Sequence, residues 1–246
     1  MATVTVSIGS NSSIDTETPA SSSGSGPSYV VTFGTTPSGI SVGDIGFMDT
    51  EAAGGGSASD YTFLVTAISG SDITLKYIHD TGSKGDASPY GLYDGSGSSG
   101  SPNQAAMVFK RAYSTLTAFE TDVDVDRSAI TPGSFYYWDA SDSIIAECHA
   151  DSPFTDSRVY FNNKYSLGSI TITVNSDDRH DGTANSGVVI RPTSGSGHNN
   201  AILDCNLDDL TIEWLEIDMG SLDSENTNKG IIFRGTCDNA IIRRNL

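Results

Sequence analysis

The chain carries 31 Asp and Glu against 13 Lys and Arg in 246 residues, a net charge of −18. That balance argues against binding nucleic acid or an anionic membrane through a basic face. The length suffices for one large or two modest domains with a substantial core. The 26 glycines, with abundant Ser and Thr, point to an all-β chain with many turns.

Residues 2–9 alternate Val4, Val6 and Ile8 with Thr and Ser, which predicts a strand. The segment has no basic n-region and no apolar h-region, so neither a signal peptide nor a membrane span is expected there. Residues 9–28 are almost free of apolar side chains and are predicted as a loop or linker. Tyr29–Phe33 and the glycine-interrupted Ile40–Met48 are predicted strands. Tyr61–Ile68 and Ile73–Ile78, joined by Ser69-Gly-Ser-Asp72, form the clearest predicted hairpin. These elements predict a small β-barrel or sandwich over residues 1–93, with attachment as its expected role. Asp94-Gly-Ser-Gly-Ser-Ser-Gly-Ser-Pro102 marks a linker, placed at 94–104.

Beyond it, Ser114–Thr121 predicts one helix, with Ser114 as N-cap and Leu116 and Phe119 on a shared face. Short strands follow behind polar turns: Phe135–Trp138, Ser143–Ala146, Val159–Phe161, Ser169–Val174, Gly187–Ile190, Ala201–Leu203, Leu210–Ile217, Gly230–Phe233 and Ala240–Leu246. Leu210-Thr-Ile-Glu-Trp-Leu-Glu-Ile217 is read as one strand with an irregularity at Trp214, echoed thirty residues on at Ala240. Recurring short strands without intervening helices predict a parallel β-helix over 105–246, with the helix covering its first coil. The chain stops within a strand at Leu246, so a longer protein or a covering partner is expected.

Residues from about 110 to 246 resemble right-handed parallel β-helix repeat proteins, especially those of tailed bacteriophages and marine metagenomes. The resemblance is carried by Arg111-Ala-Tyr-Ser-Thr-Leu-Thr-Ala-Phe-Glu120, Arg179-His-Asp-Gly-Thr183 with Gly187–Ile190, Leu210–Ile217 and Asn239–Leu246. It implies an all-β fold with a right-handed coil, and a place in a phage virion.

Several clusters bear chemistry. Asp122, Asp124 and Asp126 would share one face of a strand like a Ca²⁺ ligand set, but without the glycine and distal Glu of an EF-hand loop. They are expected as a solvated acidic edge. Asp177-Asp-Arg-His-Asp181 has the residue types of a polysaccharide lyase, or of a hydrolase with carboxylates about 5–10 Å apart. A corner held by Asx hydrogen bonds and an Arg–Asp pair is favoured. Glu213 and Glu216 are expected to face solvent. Cys148 and His149 lack a partner pattern for a nucleophile. Cys148, Cys205 and Cys237 form no CxxC and are expected as small apolar residues, the last two stacked in successive repeats.

No catalytic residue, cofactor or metal is therefore expected. The function expected is that of a non-enzymatic virion protein, a tail fibre or tailspike. Capsid decoration is the first alternative and a polysaccharide depolymerase or lyase the second. Expected partners are other virion proteins, copies of itself (a trimer among the arrangements), and a host-surface glycan met by Tyr136, Tyr137 and Trp138.

Overall fold

The computed structural model describes residues 2–10, 12–25, 28–48, 61–78, 106–125, 137–139, 141–162, 167–192, 201–219 and 229–246. The expected linker at 94–104, and Asp126, Phe135 and Tyr136, lie outside them. Among the described residues the fold is mostly β with one α-helix. No helix among the described residues is long and apolar enough to cross a membrane.

Two compact units divide the chain, and the first strand is not where the sequence places it. Strand β1 (Thr3–Ile8) belongs with the residues from Tyr113 onward, apart from Tyr137. The other unit takes the described residues from 12 to Ala112. The predicted domain of residues 1–93 is corrected accordingly: its opening strand is part of the parallel unit.

The antiparallel unit contains β2 (Asp15–Glu17), β3 (Pro19–Ser25), β4 (Ser28–Phe33), β5 (Ile45–Met48), β6 (Tyr61–Ser69), β7 (Asp72–Ile78) and β8 (Met107–Lys110). They form one nearly barrel-like sheet in the order β2-β8-β5-β6-β7-β4-β3. The predicted hairpin is present, and Gly70, at φ 61°, opens its two-residue loop. Alternate residues Val31, Phe33, Ile73, Leu75 and Tyr77 enter the core with Phe63, Val65, Met107 and Phe109. Phe33 and Phe109 meet edge-on at 5.5 Å.

Two predictions change here. The polar stretch at 9–28 supplies β2 and β3 rather than a linker, because an edge strand needs only the backbone of its neighbour. Pro19 stands at the start of β3, where its missing N–H does no harm. The strand predicted at Ile40–Met48 begins only at Ile45. Before it, Gly43 takes φ 98°, and Asp44 is fully buried. Asp44 accepts from the Ser41 N–H at 2.7 Å, and Arg111 Nη1 donates to both its oxygens at 3.0 Å.

The parallel unit adds α1 (Leu116–Val123), β9 (Ser143–Cys148), β10 (Val159–Phe161), β11 (Ser169–Val174), β12 (Val189–Ile190), β13 (Ala201–Cys205), β14 (Leu210–Glu213), β15 (Glu216–Ile217), β16 (Lys229–Phe233) and β17 (Ile241–Arg243). Its sheets are β1-β9-β11-β14-β17, β12-β15 and β10-β13-β16, and every pairing is parallel. From β11 the chain visits first, second and third sheet in turn and returns to the first at β14. Inward columns result: Val6, Ala146, Ile172, Ile212 and Ile242 in the first sheet, and Phe161, Cys205 and Phe233 in the third.

The helix covers the start of this core. Thr115, not Ser114, is its N-cap, accepting from the Ala118 N–H at 3.0 Å. Buried Asp156 accepts from the Thr117 N–H at 3.0 Å and its hydroxyl at 2.6 Å. Phe119 meets Tyr113, Trp138 and Phe161 at 5.6, 6.3 and 6.3 Å. Trp138, expected as an exposed glycan contact in a strand, is instead buried in this cluster and lies outside any strand.

Candidate functional site

The corner between the first and second sheets unites two stretches that the sequence treats separately. The expected single strand from Leu210 to Ile217 is two strands, because Trp214 takes φ 66° and turns the chain from β14 into β15. Arg244, thirty residues later, takes φ 58° at the same point of the next coil. Asp209 and Asn239 form a matching pair at φ 55° and 59°, joined by a 3.0 Å hydrogen bond from Asn239 Nδ2 to Asp209 Oδ1. Bulky residues rarely adopt this left-handed conformation, so tertiary contacts must hold Trp214 and Arg244 there.

Those contacts are specific. Leu215 N–H donates to Asn245 Oδ1 at 2.9 Å, and Asn245 Nδ2 donates to the Ile212 carbonyl at 3.0 Å. Leu246 N–H reaches the Leu215 carbonyl at 2.9 Å. Leu215 is thereby directed inward and is fully buried.

On the rung before, β11 leads into a 3-10 turn at Ser176–Asp178, capped by Asn175 Oδ1, which accepts from the Asp177 N–H at 3.1 Å. Asp181 Oδ1 accepts from the Thr183 N–H at 2.8 Å and the Ser186 hydroxyl at 2.9 Å. These bonds, from Thr183 first and Ser186 next, hold the Asp181 carboxyl below the usual carboxylate range. Asn185 N–H donates to Glu216 Oε2 at 2.7 Å. Gly187 permits the loop to close, since a Cβ there would lie 2.5 Å from the His180 backbone nitrogen. The Asx-held corner is present, while the Arg–Asp pair beside it is Arg191 Nε with Asp218, at 2.8 Å.

Side chains from the two rungs converge on the Trp214 indole. The guanidinium carbons of Arg179 and Arg244 lie 5.0 and 5.1 Å from its ring centroid, and the His180 ring lies at 5.7 Å. His180 Nε2 is 2.7 Å from the Arg244 carbonyl oxygen. A carbonyl only accepts, so Nε2 carries the proton and Nδ1 carries the lone pair in the neutral ring. Glu213 accepts from Thr173 Oγ1 at 3.1 Å and from Arg243 Nε at 2.6 Å. Glu213 and Glu216 are buried in these bonds, which corrects the expectation that they face solvent.

This chemistry suits binding better than proton transfer. Both glutamates are committed to donors, and Asp181 bonds its own loop rather than His180. Cys148 and His149 point to opposite faces of the chain, as neighbours leaving a strand do. His149 Nδ1 lies 3.4 Å from Asp178, whereas the Cys148 thiol is buried in the core and pushed far above its usual range. Cys205 is likewise buried, between Phe161 and Phe233, and its thiol is pushed up to about 12. Cys237 does not join that stack: its Sγ sits 3.0 Å from the Arg234 carbonyl in a turn.

Of the expected acidic face, Asp122 lies in the last turn of α1 and Asp124 follows it, so they are not strand residues, and Asp126 lies outside the described residues. Asp122 accepts from the Tyr113 hydroxyl, and Asp124 caps α1. Among the described residues, no group of three or more His, Cys, Asp or Glu could hold a metal ion. A second charged cluster, absent from the sequence reading, lies on the outer face of the third sheet. Asp204, wholly buried, is bracketed by Arg158 Nη2 at 2.7 Å and Arg234 Nε at 2.6 Å. Burial pushes its carboxyl up, but the two guanidiniums outweigh that and hold it below the usual range. The signal was an acid within the apolar run Ala201-Ile-Leu-Asp-Cys205.

Comparison with protein-family models, curated proteins and solved structures finds no match to this chain.

Proposed function

We propose that this is a non-enzymatic structural protein of a tailed-phage virion, a tail fibre or tailspike that projects a right-handed parallel β-helix. The observation that carries the reading is the set of three all-parallel sheets visited in turn, with a helix over the first coil. Right-twisted strands strongly favour right-handed crossovers between parallel neighbours, which supplies the handedness. Each rung pairs its backbone with the next, so the coil resists fraying and suits a projecting shaft. The antiparallel unit, whose buried Asp44–Arg111 pair fixes a loop rather than a site, serves as the attachment module. Copies of the chain and other virion proteins are its partners, a trimer being one arrangement of the copies.

The test is to locate the chain in images of the particle that encodes it, and to measure the mass of the purified protein in solution. Density at the tail with a few copies supports the reading. Hundreds of copies in contact with the shell would replace it with capsid decoration. Release of oligosaccharides from an acidic polysaccharide by the purified chain would make it a depolymerase instead.

A further inference from the structure

We propose that the corner formed by Arg179, His180, Trp214 and Arg244 is an anion subsite that takes one carboxylate or sulfate group of an acidic glycan. The proposal deepens the attachment reading above and rests on it for the glycan.

Four observations converge. First, the chain carries a net charge of −18, yet Arg179, Arg243 and Arg244 all come to this corner. Second, their neutralisation is incomplete. Glu213 takes Arg243 at 2.6 Å and lies 3.9 Å from Arg244, whereas Arg179 donates only through Nε, at 3.3 Å to the Val174 carbonyl. The two Nη groups of Arg179 meet no acceptor among the described residues. A guanidinium presenting free Nη groups matches the two oxygens of a carboxylate or sulfate.

Third, Trp214 Nε1 is shielded from water and has no hydrogen-bond partner among the described residues. A shielded N–H without an acceptor is costly, and the indole N–H can only donate, so an incoming oxyanion is the partner that satisfies it. Fourth, the corner is preorganised. Asp181, Ser186 and Thr183 lock the Arg179 loop, Gly187 lets it close, and the His180–Arg244 bond ties it to a rung further along. Arg244 and Trp214 are both held in the left-handed region that presents their side chains there. A site built this way loses little freedom on binding.

The chemistry favours a glycan over a nucleic acid. A duplex offers one phosphate about every 1.7 Å and calls for an extended basic track, which the described residues of this acidic chain do not provide. A glycan with one acid group per residue or disaccharide fits the corner. Its hydroxyls can meet Thr171 and Thr211, paired neighbours on the outer face of the first sheet about 4.8 Å apart.

The experiment titrates the full chain with oligogalacturonate, a sulfated oligosaccharide, neutral maltoheptaose and inorganic sulfate, following tryptophan fluorescence and calorimetry. Trp138 is buried, so Trp214 reports the corner. Saturable binding of at least one acidic oligosaccharide and none of maltoheptaose is expected. The two acidic probes decide between carboxylate and sulfate. Arg179→Ala should weaken binding at least tenfold and Trp214→Phe several-fold, while Lys110→Ala, which removes a cation over the Phe47 ring in the antiparallel unit, should leave it unchanged. Arg179→Lys keeps the charge without the planar fork and should fall between, so the order holds even if the alanine variant unfolds. No binding of either acidic probe, equal loss in Lys110→Ala, or inorganic sulfate binding as tightly as the oligosaccharides would each overturn the proposal. A chain found on the capsid shell that still binds the acidic probe through Arg179 would sink the tail reading and leave the site standing.

Discussion

The two units use the same strand chemistry and opposite ways of setting register. In the antiparallel unit, register is local: β6 and β7 are joined across Gly70 and Ser71, and Ser69 faces Asp72. In the parallel unit no short turn can join paired neighbours, so Ile172 finds Ile212 forty residues away and Ala146 twenty-six residues before. Charge follows the same division. Asp44 is sealed inside with a single guanidinium, while Asp204 and Glu213 sit on outer faces and tie one rung to the next. A local register tolerates loss of one contact, whereas a stacked register depends on every rung presenting the right face.

That contrast can be broken at several points. The largest effect is expected at Arg111→Met, which leaves the fully buried Asp44 without its guanidinium partner. The antiparallel unit should lose about 3–5 kcal/mol in urea unfolding, and pairing it with Asp44→Leu should recover most of the loss. A cost near zero for the single variant would show that the pair does not hold the loop.

Next, Ile172→Ala should cost about 2–5 kcal/mol, while Ile242→Ala, at the same height of the same column but 49% exposed, should cost well under about 1 kcal/mol. Equal costs would mean that the column is not what stabilises the stack. Thr115→Ala should remove the N-cap and cost about 1 kcal/mol, read as a lower thermal midpoint of the parallel unit. Ser114→Ala, at the position that the sequence suggested, should change little.

The smallest effect concerns pH. Burial, reinforced by Asp124 one turn away, raises the Glu120 carboxyl from 4.5 to about 7. The folded chain therefore holds a proton there that the unfolded chain has released. This contribution is complete below about pH 4.5 and is lost as pH rises towards 7. Glu120→Gln should flatten that decline, leaving the variant more stable at pH 8 by about 1 kcal/mol, a modest figure because the half-exposed carboxyl is screened. A wild-type midpoint that does not fall between pH 5 and 8 relative to Glu120→Gln would contradict it.

Much of the architecture was legible in alternation. Val4-Thr-Val-Ser-Ile8, Ser169–Val174 and the Ser69–Asp72 hairpin each read correctly as strand or turn, because period two survives wherever one face is buried. The Gly-Thr motif after Asp181 correctly signalled a corner held by Asx bonds. What failed did so for identifiable reasons. Pro19–Ser25 has no apolar face, and its backbone pairing with β4 leaves no trace in composition. Glu213 and Glu216 looked solvated because charge on an outer strand face usually is. Their partners, Arg243 and Asn185, are thirty residues on and thirty-one residues back. The candidate corner was half visible: Arg179 and His180 stood out as a cluster, and Trp214 as an irregularity, but nothing in their spacing joined them.

The sequence by itself determined which faces are apolar and roughly where the chain turns, because side-chain periodicity and turn chemistry act over a few residues. Only the tertiary structure decided that β1 pairs with β9, that Trp214 is a left-handed corner rather than a bulge, and that Arg179, His180 and Arg244 gather around it. Those outcomes depend on contacts between residues 30 to 140 apart, whose register is chosen by the burial of whole columns rather than by any local preference.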